Sequence, residues 1–270
     1  MLLAEHLGTA LDSLRLEGRP VLLHTSLRSF GTTVGADTLL DALLERGCTV
    51  MVPAFTEPQF SLPAPATMRP ARNGLDYTAP PIPASEETAY SVDCGLINPH
   101  LGALPAVLVG RADAVRGRHP LNSFAAVGPQ ATELMNAQTP DDVYGPIREL
   151  AARDGTILLV GVGLNRMTAL HLAEQWSGRR LFRRWARDEN GEIRMVEVGS
   201  CSEGFPRLEA VLGPLARPAT VAASHWRAYS AQQVLAAATA AITADQDITR
   251  CADTACLLCR DAIAGGPEGL

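Results

Sequence analysis

The sequence predicts the α/β class, a layered sheet flanked by helices. Two observations carry this. Short continuous apolar runs of strand length recur at Pro20–His24, Cys48–Pro53 and 156–162. Stretches with helical apolar spacing lie between them, and a β-α-β order is that of a layered α/β fold.

The elements follow in order. Residues 3–17 have the spacing of an amphipathic helix. Pro20-Val-Leu-Leu-His24 reads as a strand that runs into the turn-rich Thr25-Ser-Leu-Arg-Ser-Phe-Gly31. Residues 36–46 read as a helix and Cys48–Pro53 as the next buried strand. Pro58 to Pro83 holds seven prolines and little periodicity. A linker is one reading. A long surface loop near a site is preferred, because the same hydrophobic style resumes after it. Helix-like spacing returns over 99–109, a short strand over Asn122–Val127, and a helix with proline in its first turn over Pro129–Met135. Residues 146–153 read as a helix leading into the 156–162 strand. Alternation over Glu192–Val198, after the Asp188-Glu-Asn-Gly191 turn, reads as one arm of a hairpin. Residues 206–213 and 230–243 read as helices. One domain over 1–270 is expected, with the proline-rich loop at 58–83 and a cysteine-rich tail at 251–270.

Composition narrows the chemistry. All 23 basic residues are arginine and none is lysine. That excludes a Schiff-base lysine and a P-loop lysine, and makes every fixed cation a guanidinium suited to bidentate phosphate contact. Net charge is −6 without a long basic block, so nucleic acid is not the expected partner. No apolar run reaches membrane-spanning length, and the first twenty residues mix charge into a helix pattern instead of a leader's apolar core. A cytoplasmic protein with no membrane partner is expected, as a monomer or homodimer. In that compartment the six cysteines are expected to be reduced.

The most informative stretch is Asn165-Arg-Met-Thr-Ala-Leu-His-Leu-Ala-Glu174, just after the 156–162 strand. On a helix, Thr168, His171 and Glu174 recur every three residues, with Cβ atoms roughly 5–6 Å apart. A hydroxyl, an imidazole and a carboxylate in that order make a proton-handling row where an α/β sheet opens toward ligand. The plain alternative is a helix that happens to carry three polar residues. His24, Thr25, Ser26, Leu27, Arg28, Ser29 and Gly31 form a second candidate: hydroxyls, turn amides and a guanidinium could hold a pyrophosphate. Its alternative is a satisfied histidine and a polar turn. His119 and Ser123, on the Gly117–Gly128 segment, are open to the same alternative. Cys251, Cys256 and Cys259 have the C-x4-C-x2-C spacing of a zinc site that lacks its fourth ligand, which Cys201 or His225 would supply. On a helix, Cys256 and Cys259 would instead share a buried face. There is no G-x-S-x-G elbow and no G-x-G-x-x-G turn.

Taken in order, these segments resemble one family, the aminoglycoside 3-N-acetyltransferases. Val21–Gly31, Val50–Thr56, Arg118–Gly128, Asp154–Gly161, Thr168–Glu174 and Ser200–Phe205 carry the resemblance, which spans about residues 3–245. It implies a mixed β-sheet flanked by helices, distinct from the commoner GNAT acetyltransferases. It implies acetyl transfer from acetyl-CoA to the 3-amino group of an aminoglycoside, and hence antibiotic resistance. His171 would be the general base, Glu174 its orienting partner or a substrate contact, and Thr168 a support for the reacting carbonyl or thioester. The His24–Gly31 turn and the His119–Ser123 segment would hold CoA. Charge alone adds Glu57, Asp141 and Asp142 as contacts for ammonium groups, with Tyr144 beside them. The chain departs from the family where Ile147-Arg-Glu149 follows Tyr144-Gly-Pro146 in place of serine-proline, and where the 58–83 loop lacks phenylalanine-aspartate-proline. Both departures fall where the substrate is chosen, so another biosynthetic amine is the alternative within the same fold. A zinc-stabilised CoA-binding module without turnover is the alternative outside it.

Overall fold

The computed structural model describes residues 2–79 and 89–269, so Pro80–Pro83 of the expected loop lie outside the described residues. In chain order the elements are α1 (Leu2–Ser13), β1 (Pro20–Thr25), α2 (Ala36–Leu44), β2 (Thr49–Pro53), β3 (Ser61–Leu62), α3 (Ala103–Val109), β4 (Val115–Arg116), β5 (Phe124–Val127), α4 (Ala131–Asn136), α5 (Gly145–Ala152), β6 (Thr156–Val160), α6 (Ala169–Trp176), β7 (Phe182–Arg187), β8 (Ile193–Val198), α7 (Glu209–Leu212), β9 (Arg217–Val221), β10 (Ser224–Ser230), α8 (Ala231–Ala244) and α9 (Leu257–Ile263).

The main sheet has the strand order β4-β5-β2-β1-β6-β10-β9. Its centre, β2-β1-β6, is parallel, and both flanks pair antiparallel, so the sheet is mixed. Buried residues alternate across it. Leu22, Ile157 and Leu159 face one apolar layer with residues of α4, α5, α6 and α8. Val21, Leu23, Leu158 and Val160 face a second layer with α1, α2 and α3. Continuous apolar strands are what a sheet covered on both faces requires.

Strand β1 has β2 on one side and β6 on the other. The connections that follow β1 and β6 leave on opposite faces, through α2 and α6, which opens a crevice at their carboxyl ends. A smaller sheet, β3-β7-β8, closes over that edge with its own apolar cluster of Phe60, Tyr90, Phe182 and Val196. The cysteine-rich tail carries α9 and is pinned to the proline-rich loop: Gly74 N donates to Asp261 Oδ2 at 2.7 Å, and Arg72 bridges to Glu268. Gly74 has φ +64°, and a Cβ there would lie 2.7 Å from Leu258 Cδ2.

The differences from expectation are local. Helix α1 stops at Ser13, and Arg15 takes a left-handed φ of +52° to turn the chain toward β1. The 206–213 helix is a 3-10 turn followed by the four-residue α7, because Pro206 and Pro214 each start a new tight turn. Strand β7 carries Arg183, Arg184 and Arg187, which interrupt the apolar pattern that would reveal it. No helix among the described residues is long and apolar enough to cross a membrane.

Candidate active site

A cavity of about 1050 Å³ opens at the carboxyl edge of the parallel strands. Its walls come from the turns after β1 (His24–Arg28), β2 (Phe55 and Glu57) and β6 (Gly161–Arg166), from the start of α6, and from Gly199, Ser200 and Ser202 after β8.

Thr168 is the residue preceding α6, with its side chain on the cavity wall and no capping hydrogen bond. One turn on, His171 is 8% exposed and lines the same wall. Its Nδ1 lies 2.8 Å from Glu174 Oε2. The other ring nitrogen, Nε2, makes no hydrogen bond among the described residues. Tyr144 stacks on the ring at 6.1 Å and Phe205 tilts against it at 4.8 Å, which fixes its plane. Burial and the nearby carboxylates of Glu174 and Glu197 push the Tyr144 phenol well above its ordinary pKa, so it stays a neutral donor.

Glu174 is only 3% exposed and does not reach the cavity. Oε2 also accepts from Ser200 Oγ at 2.7 Å, and Oε1 accepts from Arg179 Nη1 at 2.5 Å. Arg179 is in turn held by Thr249 Oγ1 at 2.8 Å and by Gln246. With both oxygens engaged and the side chain off the cavity wall, Glu174 is positioned to orient the histidine. Gly199 packs where the β8 end crosses this pair: a Cβ there would lie 2.5 Å from the Tyr144 hydroxyl and 2.7 Å from His171 Cδ2.

The expected phosphate turn divides. His24, Thr25, Ser26, Leu27 and Arg28 line the cavity. Ser29 and Gly31 do not: Ser29 Oγ bonds Ser26 O and Ser224 Oγ, each at 2.6 Å, and Gly31 caps the 3-10 turn at φ +68°. Burial, with Arg166 nearby, lowers His24 to about 3, so it is neutral. His119 and Ser123 are wholly buried away from the cavity. His119 Nδ1 accepts from the amides of Leu121 and Asn122 at 3.3 and 2.8 Å, and burial lowers its pKa to about 3. Ser123 Oγ donates to Ala54 O at 2.7 Å. The segment braces the turn, and its Asn122 reaches the cavity instead.

Of the acidic candidates, Glu57 lines the cavity; burial raises its pKa while Arg184 opposes the shift. Asp141 and Asp142 do not line it. Asp142 instead pairs with Arg148, which settles where that unusual arginine points: it meets a carboxylate outside the cavity. Cys251, Cys256 and Cys259 meet Cys201, also outside the cavity lining. His225, the other candidate fourth ligand, sits on β10 with Nδ1 3.4 Å from Thr220 Oγ1.

Sequence reasoning missed Arg166, Arg184, Arg179 and Ser200 as site residues. Arg166 follows β6 as Arg28 follows β1, so its position after a strand end was a usable signal. Arg179 had none: the helix stops at Trp176, and the turn that brings Arg179 N to Glu174 O at 3.1 Å creates a contact helical spacing does not.

Fold and site together define a mixed-sheet α/β protein with a braced histidine–carboxylate pair in a crevice at the sheet's carboxyl edge, an arrangement suited to proton abstraction. The family model for aminoglycoside 3-N-acetyltransferase matches residues 22–243, and the chain belongs to that family. It is 35% identical over 169 residues to aminoglycoside N(3)-acetyltransferase IX of Micromonospora chalcea, covering 58% of this chain and 56% of that one. It is 33% identical over 168 residues to aminoglycoside N(3)-acetyltransferase VII of Streptomyces paromomycinus, covering 58% and 54%. The matched stretch thus spans little more than half the length of these relatives. The crystal structure of aminoglycoside acetyltransferase AAC(3)-IVa, as apoenzyme, superposes with a TM-score of 0.73 at 23% identity, over 97% of this chain and 96% of that one, so the two share a fold.

Proposed function

We propose that the chain transfers acetyl from acetyl-CoA to the 3-amino group of an aminoglycoside, with His171 as general base. The observation that carries this reading is His171 on the cavity wall, with Nδ1 engaged by the buried Glu174 and Nε2 without a partner among the described residues. Neutral imidazole takes the amine proton at Nε2 as the amine nitrogen attacks the thioester carbonyl. The C–N bond forms, the C–S bond breaks, and CoA leaves as thiolate to be protonated. Glu174, held by Arg179 and Ser200, fixes the tautomer and stabilises the imidazolium. The Thr168 hydroxyl supports the carbonyl, a role favoured by its position in the cavity lining.

Arg28 and Arg166 are exposed at the cavity and lack an ion-pair partner among the described residues, which suits CoA phosphates. Glu57 is the carboxylate available to a substrate ammonium. Ligands in solved neighbours support the two substrates: one is AAC-IIIb as a binary complex with CoASH, and a mutant AAC(3)-IVa is in complex with apramycin. One observation favours a second reading. Among the described residues Glu57 is the sole carboxylate lining the cavity, and Arg184 lines it too. That balance suits a less cationic amine than a typical aminoglycoside.

The test is thiol release from acetyl-CoA against a panel of aminoglycosides, including one without a free 3-amine. Release confined to free 3-amines is expected. Release with none of them, but with other amines, moves the assignment to the second reading. His171→Ala is expected to lose at least ~10² in kcat while acetyl-CoA still binds by calorimetry. A variant that kept near wild-type kcat would remove His171 as the base.

A further inference from the structure

The cysteines of the tail form a group that the acetyl-transfer reading does not use. The Sγ atoms of Cys201, Cys251, Cys256 and Cys259 all lie within 4.8 Å of one another, and all four thiols are free. Three come from one C-x4-C-x2-C segment and the fourth from the turn after β8. Cys259 is buried and the other three are half-buried. The shared-helix-face alternative fails, because Cys256, before α9, has an extended backbone (φ −60°, ψ 108°) and lies outside the helix.

We propose that these four residues bind one zinc ion as a tetrathiolate that ties the turn after β8 to the C-terminal segment. Zinc–sulfur bonds of about 2.3 Å in a tetrahedron place sulfurs ~3.8 Å apart, so the observed cluster needs only a modest contraction. A set made only of soft thiolates selects zinc over magnesium or calcium. Four protein ligands leave no open position, which makes the site structural and not catalytic. The Cys251 amide donates to Cys259 Sγ at 3.4 Å, the kind of N–H contact that supports a metal-bound thiolate.

What the metal joins gives the site its consequence. Ser200, adjacent to Cys201, donates to one oxygen of Glu174 at 2.7 Å. Thr249 and Gln246, shortly before Cys251, hold Arg179 against the other oxygen. The zinc knot therefore closes the two arms that grip the carboxylate behind His171. Metal loss should free both arms, without any change in the cavity's own residues.

The experiment reads metal, so its result is independent of whether aminoglycosides are the substrate. The full chain is purified with reductant and no added metal, and its metal content is measured by plasma mass spectrometry. One zinc per chain is expected, and Cys256→Ser should reduce it to trace levels. If that variant does not fold, cobalt exchange into the wild-type protein serves instead: the ligand-field and sulfur-to-cobalt charge-transfer bands of a tetrahedral tetrathiolate are expected. Removing the metal with a thiol-directed mercurial, then reductant, should lower Tm, and zinc should restore it. Iron in place of zinc would overturn the proposal. So would four freely titrating thiols in metal-free protein of unchanged Tm, or intact mass showing disulfides among the four cysteines.

Discussion

At the residue scale, the pair of buried charges behind His171 is as consequential as the histidine. Glu174 and Arg179 are each about 4% exposed, and each compensates the other out of water. Glu174→Gln preserves shape but leaves the guanidinium uncompensated, which costs about 3–5 kcal/mol in comparable buried pairs. Urea unfolding should show that loss, and kcat should fall with it; an unchanged unfolding midpoint would mean the pair is not closed in solution. The buried histidines set an acid limit. His24 and His119 titrate at about 3 in the folded chain against an ordinary 6.5 when unfolded. As pH falls below about 6.5 the unfolded state takes up protons first, so their contribution is complete above that pH and drains away toward about 3. Each histidine adds about 1.4 kcal/mol per pH unit to the slope. Urea titrations at pH 7 and pH 5 should show it, and His119→Asn, whose side-chain oxygen can still accept the turn amides, should remove one share. Thr168, His171 and Glu174 were legible because helical spacing alone brings them together. Ser200, Thr249 and Arg179 were not, because the contact with Glu174 is made between segments far apart in sequence.

At the element scale, β1, β2 and β6 were readable because strands buried on both faces are continuous apolar runs. Strand β9 is the sheet's edge and holds Pro218, and β10, between it and β6, exposes His225, so the two interrupt the apolar pattern and carry a weaker signal. The ordered family resemblance pointed to the fold where periodicity alone stopped at its class. The end of β8 makes the sharpest demand on a single position. Gly199→Ala adds one methyl against the Tyr144 hydroxyl and the His171 ring. The ring must move, and a displacement of ~1 Å at a base can cost ~10²-fold in rate. A large loss in kcat with a near-normal Tm is expected. Full activity in Gly199→Ala would show that the turn has room the geometry denies it.

At the scale of the molecule, a chain of net charge −6 places at the rim of its cavity two arginines that have no ion-pair partner among the described residues. The double variant Arg28→Ala/Arg166→Ala should raise KM for acetyl-CoA by ~10²-fold or more, at ~1.5 kcal/mol or more for each of the two charge-assisted contacts, with kcat little altered. The penalty should shrink as salt screens the wild-type attraction. Equal KM values across salt concentrations would remove both residues from the CoA site. The proline-rich loop and the cysteine-rich tail read as separate irregular stretches, since nothing local signals that Asp261 serves the Gly74 amide. Yet Gly74 and Leu258 fill each other's space, and Leu258 is itself part of the cavity wall. Two stretches almost 200 residues apart are thereby bound into one mutational unit. Any side chain at position 74 collides with Leu258 unless position 258 shrinks with it, so the loop and the tail can be exchanged here only as a pair.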